Sequence, residues 1–308
     1  MLDGKALRGI HGEELPGVRL VALYVPEAGH VLAQAGGQDP RGADGDPKAR
    51  EQAKQEAELG VAPRLLRQVQ SLLAGRVVSG DALYCQQALC RQIVQAGGAY
   101  LFAVKANQPD LLDDVTLLFR EPPPGERFAT ASTADKHGGR LEVRHLRASA
   151  ARATYLRTAG WVAADLVREV ASTVRWPHHP TRPIRQEVRS FLTSLPAQTS
   201  PAEALRLVRA HWHSENRLHW IRDVTLGEDA CQVRTGRAPQ VLAALRNVVV
   251  GLLRQHRVPN LAATLRTNAW IGPATVLGLL GLTLCMTLNL RLSLMFAWRG
   301  VGCARMAS

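Results

Sequence analysis

Stretch 200–229, SPAEALRLVRAHWHSENRLHWIRDVTLGED, concentrates side chains that can do chemistry. Ser200 stands three residues before Glu203, and Pro201 follows it. That is a capping box with proline in the first helical position, so a helix is expected to start here. At about 100° per residue, one face carries Val208, His211, Trp212, Glu215, Leu218, His219 and Arg222. Arg206, Ala210, His213 and Arg217 fall on the other. The face with the larger apolar groups thus has a carboxylate, Glu215, at its centre. A carboxylate aimed at a core is costly unless it is paired or bound to a metal. An internal ion pair with Arg222 or a nearby histidine would satisfy it, and so would a divalent ion. Two further acids stand where strands should begin or end: Asp3 in DGKALRG and Asp81 in VVSGDALYCQ.

Periodicity gives the elements that would carry these acids. GVRLVALYV (17–25) is apolar at nearly every position, as a strand covered on both faces would be. PEAG (26–29) reads as a turn, HVLAQAG as the returning strand and GGQDPRGADGDP (36–47) as a loop. Residues 48–73 read as a helix, and Glu58 within it is given no catalytic role. A short strand ends at Asp81, a helix covers 86–96 and a strand covers 99–108. Such a β–α–β unit puts acids from strand ends on one rim of a sheet. Helix N-capping is the competing reading for Asp81, and a solvated surface position is the competing reading for Lys105. Between 109 and 195, RFATASTADK, RLEVRHLRAS, LVREVASTVRW and EVRSFLTSL alternate as strands, joined by proline-rich turns. Pro239 opens an amphipathic helix with Val241, Leu242, Leu245, Val248, Val249, Leu252 and Leu253 on the side expected to meet the sheet. From Thr267 to Leu290 no residue is charged. That run has the length of a membrane span, but Gly, Pro, Thr and Asn dilute it, so a core helix followed by an apolar tail is expected.

The long block HWHSENRLHWIRDVTLGED resembles the signature of the ISAs1-type DDE transposases, relatives of the IS4 group of bacterial insertion sequences. The blocks DGKALRG, GDALYCQ, VKANQ, HGGRLEVR and FLTSL are similar to those of that family and occur in the same order, over residues 1 to about 282. The resemblance implies an α/β fold, an RNase H-like mixed sheet flanked by helices, with a β-rich insertion between the second and third acids. It divides the chain into a first part of the catalytic core (1–108), the insertion (109–195), a second part with the glutamate helix (196–258) and an apolar tail (259–308). It implies a DNA transposase that cleaves and joins strands at the ends of an insertion sequence. Asp3, Asp81 and Glu215 would be the catalytic acids holding two Mg²⁺ ions, with Mn²⁺ as a substitute. Asp81 would bridge the ions, and Asp3 and Glu215 would each hold mainly one.

Such a centre suits in-line attack on phosphorus, because two ions about 4 Å apart can activate the nucleophile and stabilise the leaving oxygen. Mg²⁺ favours carboxylate oxygen and retains waters that substrate can replace. Lys105, Arg140, His211, Asn216, His219 and Arg222 are the candidates for contact with DNA. Asp223, Glu228 and Asp229 match the family block with a structural or a catalytic role. The partners implied are double-stranded DNA, as terminal inverted repeats and target, and a second copy in a synaptic dimer, with no membrane. Family members carry a region ahead of the first block. The alternative expectation is therefore a truncated, catalytically silent remnant that only binds DNA.

Composition agrees with a polyanionic partner. The formal charge is +12, from 38 Lys and Arg against 26 acids, and only five of the 38 are lysine. An excess of this size favours nucleic acid, because each neutralised phosphate releases counterions. An arginine-rich proteome would explain the preference for Arg over Lys, but less easily the excess over acids. Cysteines 85, 90, 231, 285 and 303 form no CxxC and no metal spacing. That pattern, with no visible signal peptide, fits a reducing cytoplasm.

Overall fold

The computed structural model describes residues 1–7, 18–38, 47–179, 181–211 and 218–271. Strand β1 (Leu2–Ala6) pairs antiparallel with β2 (Val18–Val25), which pairs antiparallel with β3 (His30–Gln38). Gly29, with φ of +71°, closes the turn between β2 and β3. Helix α1 (Pro47–Gln68) then leads to β4 (Val77–Gly80), α2 (Gln87–Gln95) and β5 (Ala99–Val104), and β4 and β5 are parallel. β1 lies beside β4. The ladder, however, stops there: β1–β2–β3 form one sheet and β4–β5 belong to a second. Asp3 therefore sits in a strand that is hydrogen-bonded on one side, to β2.

The second sheet has six strands in the order β4–β5–β9–β8–β7–β6. Its later members are β6 (Ala129–His137), β7 (Arg140–Ser149), β8 (Leu166–Arg175) and β9 (Arg185–Thr193). Gly138 and Gly139, with φ of +56° and +74°, make the tight turn of the β6–β7 hairpin, where only glycine adopts such angles cheaply. Two helices interrupt the region read from sequence as strands alone: α3 (Pro109–Arg120) and the short α4 (Ala153–Thr158). α3 begins with proline at its first position, an acid in its first turn and Arg120 in its last, which suits the helix dipole. It also ends β5 earlier than expected, at Val104 instead of residue 108.

Alternation along the strands separates two layers. Leu2, Val21, Leu23, Val78, Tyr100 and Phe102 join the core under α1, α2 and α3, with Leu65, Leu66, Ile93 and Val115. Leu101, Leu146, Val170 and Phe191 point the other way, under Ala204, Leu205 and Val208 of α5 (Pro201–His211). α5 starts as the sequence requires, with Ser200 Oγ accepting the Glu203 N–H at 3.2 Å. Beyond it come a π-helical turn (Ile221–Thr225), α6 (Ala238–Gln255) and α7 (Leu261–Ile271).

α6 turns a different face inward from the one its large apolar residues suggest. Val241, Leu245 and Val248 are each 55% exposed, while Ala243, Asn247, Val250, Gly251 and Leu253 are buried. The reason is the closeness of β3. A Cβ on Gly251 would lie 3.0 Å from the Cβ of His30, and Asn247 Nδ2 donates to Gln34 Oε1 at 2.6 Å. Small and polar groups fit that approach, and bulky ones face outward. Among the described residues no helix is long and apolar enough to cross a membrane. The apolar run from 272 onward and the loop at 39–46 lie outside the described residues.

Arg168 on β8 is fully buried on the α5 side, and its three guanidinium nitrogens have no hydrogen-bond partner among the described residues. Burial lowers its pKa to about 10. An unpaired buried polar group costs about 1–3 kcal/mol by mutational measures. Arg168→Met should therefore raise the unfolding free energy by about that amount, read as a higher urea midpoint with unchanged slope.

Candidate active site

Odd-numbered residues of β1 point to the side opposite α1, because Leu2 belongs to the α1 core and Met1 packs with Leu218, Ile221 and Val250. Asp3 and Lys5 therefore share that side. Residues 77 and 78 of β4 divide in the same way, Val77 toward α5 and Val78 toward α1, so Asp81 is carried round on the α5 side. Asp81 lies directly after β4 and caps a single 3₁₀ turn, accepting the Leu83 N–H at Oδ1 at 3.0 Å. The capping reading of the sequence is thus present in the structure, and it does not conflict with a second role.

The two aspartates feel each other. The side chain of Asp81 reaches solvent, yet crowding around the turn withdraws enough water to push its carboxyl up, and the Asp3 charge pushes the same way. The Leu83 N–H and the exposed Lys105 pull in the other direction. Lys105 follows β5 directly. Two residues on, Asn107 Nδ2 donates to Ala82 O at 2.7 Å, and Gln108 Nε2 donates to Cys85 O at 3.0 Å. The VKANQ block thus braces the turn that presents Asp81, a part that sequence reading did not give it.

His219 and Asp3 are joined directly, Nε2 to Oδ2, at 2.8 Å. His211, at the end of α5, has its pKa lowered by burial, while the nearby Asp3 charge opposes that shift. Asp3, Asp81, Lys105, His211 and His219 therefore share one neighbourhood. Arg222 does not reach it as a free cation. It is wholly buried and grips Glu228 with Nε at 2.9 Å and Nη2 at 2.6 Å. Arg140 is exposed in the β6–β7 hairpin, and β7 lies four strands from β4, roughly 19 Å at the usual strand spacing. Glu215 and Asn216 lie outside the described residues.

A partly buried ionic network that sequence reading missed lies beside this group. Lys5 donates to Asp223, with Asp229 at 3.5 Å and Glu228 at 4.0 Å. Arg246 stands 3.9 Å from Glu228. Lys5 is two residues from Asp3, so β1 holds the 218–229 segment at two points, Asp3 to His219 and Lys5 to Asp223. The only hint in the sequence was that both DGKALRG and the long block carry charges of opposite sign.

Among the described residues no three His, Cys, Asp or Glu side chains stand close enough together to hold a metal ion. The donor chemistry of the Asp3 and Asp81 pair still suits a hard divalent cation, since its two carboxylates repel each other and a cation would relieve that.

Residues 3–252 match the family model described as "Transposase DDE domain". The chain belongs to the DDE transposase family. The relatives of this transposase-family chain include two from Escherichia coli. "H repeat-associated putative transposase YhhI" of strain K12 is 28% identical over 214 residues, 65% of this chain and 53% of that protein. "Putative transposase YncI" of strain O157:H7 is 26% identical over 261 residues, 82% of this chain and 61% of that protein. "Uncharacterized protein in dhlA 3'region" of Xanthobacter autotrophicus is 40% identical over 74 residues, 24% of this chain and 25% of that protein. The transposase-family chain spans just over half the length of the E. coli relatives it matches.

Proposed function

We propose that this chain carries the catalytic part of an ISAs1-type transposase, which cleaves and rejoins DNA at the ends of its insertion sequence. The observation that supports this reading is that β1, which carries Asp3, lies beside β4, which Asp81 directly follows, with the Asp3 charge adding to the rise in the Asp81 pKa. With β1 beside β4, the strands run β3–β2–β1–β4–β5, which supports an RNase H-like core over 1–108. Strands β6 to β9 fit an insertion at 109–195, and 196–258 would complete the core ahead of the tail at 259–308.

Asp3, Asp81 and Glu215 would hold Mg²⁺ or Mn²⁺, which supplies charge stabilisation at the phosphoryl oxygens and a more acidic attacking water or hydroxyl. The work of the chain is to hold the acids and the phosphate in place. Lys105 is exposed on the Asp81 rim, where its ammonium can meet a phosphate as a point charge. His219 fixes the orientation of the Asp3 carboxylate through its 2.8 Å contact. His211 and Asn216 remain DNA contacts in this reading, with Arg140 as a distant one on the insertion. Arg222 acts through Glu228. The partners are the terminal inverted repeats, target DNA and a second copy of the chain, in the cytoplasm.

The test is nicking of a linear duplex bearing the inverted repeats that flank the gene, with Mg²⁺ and with chelator. Wild type should nick only with the metal. Asp3→Asn and Glu215→Gln should lose nicking while still retarding the duplex in a gel. Equal nicking by all three proteins would remove the assignment, and binding without nicking by wild type would leave a DNA-binding remnant.

A further inference from the structure

α1 turns an apolar stripe inward, Val61, Ala62, Leu65 and Leu66, and one turn earlier that stripe holds a carboxylate, Glu58, only 7% exposed. Arg19 of β2 donates to its Oε1, and the Tyr84 hydroxyl lies 3.5 Å from its Oε2. Tyr84 ends the 3₁₀ turn that Asp81 caps. On its other side Glu58 lies flat against β1: a Cβ built on Gly4 would be 2.2 Å from Oε2. Gly4 follows Asp3. One buried carboxylate therefore reaches Gly4, next to Asp3, and Tyr84, in the turn that Asp81 caps, from the side opposite to the two acids.

Stability does not account for a charge at this place. Replacing a buried ion pair with apolar side chains of similar size is commonly neutral or favourable, while such pairs can serve to fix one arrangement among several. Burial pushes the Glu58 carboxyl up, Arg19 opposes this, and the charges of Asp81 and Asp3 add to the rise. Glu58 is thus electrically as well as sterically next to the pair. Gly4 in DGKALRG then has a plain cause, since a side chain there would displace the Glu58 carboxylate from its seat against β1 or force β1 itself to shift.

We propose that Glu58, with Arg19 and the bare backbone of Gly4, is a positioning unit that sets the separation of Asp3 and Asp81 and so tunes their affinity for a divalent cation. It touches neither the cation nor DNA. This rests on the reading of Asp3 and Asp81 as metal ligands, so the experiment measures that separately.

The measurement is Mn²⁺ binding to the whole chain by titration calorimetry, paired with thermal melting of each variant. Arg19→Met/Glu58→Met preserves volume and removes both charges. It should melt at or above the wild-type temperature and bind Mn²⁺ about 10–100-fold more weakly, the usual effect of losing a group that orients a ligand. Gly4→Ala should weaken Mn²⁺ to a similar extent, and Gly4→Ala/Glu58→Ala, where the new methyl has room, should be no weaker than Glu58→Ala alone. Wild-type affinity in the doubly apolar variant, within about twofold, would overturn the proposal and leave Glu58 a packing residue. Unchanged affinity in Asp3→Asn would instead sink the metal-ligand reading itself.

Discussion

Asp81→Asn should abolish metal-dependent nicking and at the same time make the metal-free protein more stable. The two effects share one cause. Withdrawal of water, together with the charge of Asp3 on the adjacent strand, raises the pKa of Asp81 from 3.8. A raised value means that the folded chain holds the proton more tightly than the unfolded chain. The contribution of this group to stability is therefore fully present below about pH 3.8 and is lost as pH rises through the raised value. At pH 7 the ionised pair is a burden on the metal-free fold. Asparagine removes the charge and still caps the turn, accepting the Leu83 N–H as aspartate does. The gain should fall in the range of about 0.5–2 kcal/mol typical of single stabilising changes. It should shrink on acidification toward pH 4. The loss of activity should be far larger. A bound cation supplies several kcal/mol of transition-state stabilisation, and each ~1.4 kcal/mol is a factor of ten, so nicking should fall by at least about 10³-fold. Urea denaturation at pH 7 and pH 4, beside the nicking assay, checks both halves. A variant that is less stable at pH 7 would mean that Asp81 is not strained by Asp3.

Arg222→Ala should destabilise the protein by about 3–5 kcal/mol, because it leaves Glu228 charged and buried. Arg222 has no exposed side-chain surface and Glu228 has 1%, so water cannot take the place of the lost partner. Lys5 and Arg246 stand 4.0 and 3.9 Å from Glu228, too far to replace two hydrogen bonds. Arg222→Met/Glu228→Leu, with both charges gone, should recover most of that loss. The recovery, measured as the coupling in a double-mutant cycle, separates this pair from an ordinary surface bridge, for which the coupling is below about 1 kcal/mol. A coupling near zero would place Arg222 back among the DNA contacts.

The sequence made strands and helix starts legible where local signals were strong. The β2–β3 hairpin followed from a long apolar run and a turn ending at Gly29, and the β4–α2–β5 unit from its periodicity. Helix α5 followed from Ser200 and Glu203. α3 was hidden inside a region that otherwise alternates, although Pro109 and Asp110 are helix-start residues. The inward face of α6 was misread because hydrophobicity points to Val241, Leu245 and Val248, whereas the approach of β3 selects Gly251 and Asn247. The sequence offered Asp3 and Asp81 as candidates, but gave no sign of the contacts that hold the residues around them. Lys5 meets Asp223 across 218 residues, and Arg19 meets Glu58 across 39. No local pattern announces such pairs, since each partner alone reads as a solvated charge. Arg222 illustrates the converse, because its position in a conspicuous block suggested a phosphate and its burial gives it to Glu228.

The place of β9 has a consequence for how the protein is made. β5 has β4 on one side and β9 on the other, and Thr193 Oγ1 of β9 donates to Tyr100 O of β5 across 93 residues. At roughly 5–20 residues per second, a ribosome needs roughly 5–20 s to deliver the second strand after the first. Throughout that interval AYLFAV presents an open hydrogen-bonding edge, and other nascent chains can compete for it. Yield of the native protein should therefore depend on the rate of synthesis and on holding chaperones more than on final stability.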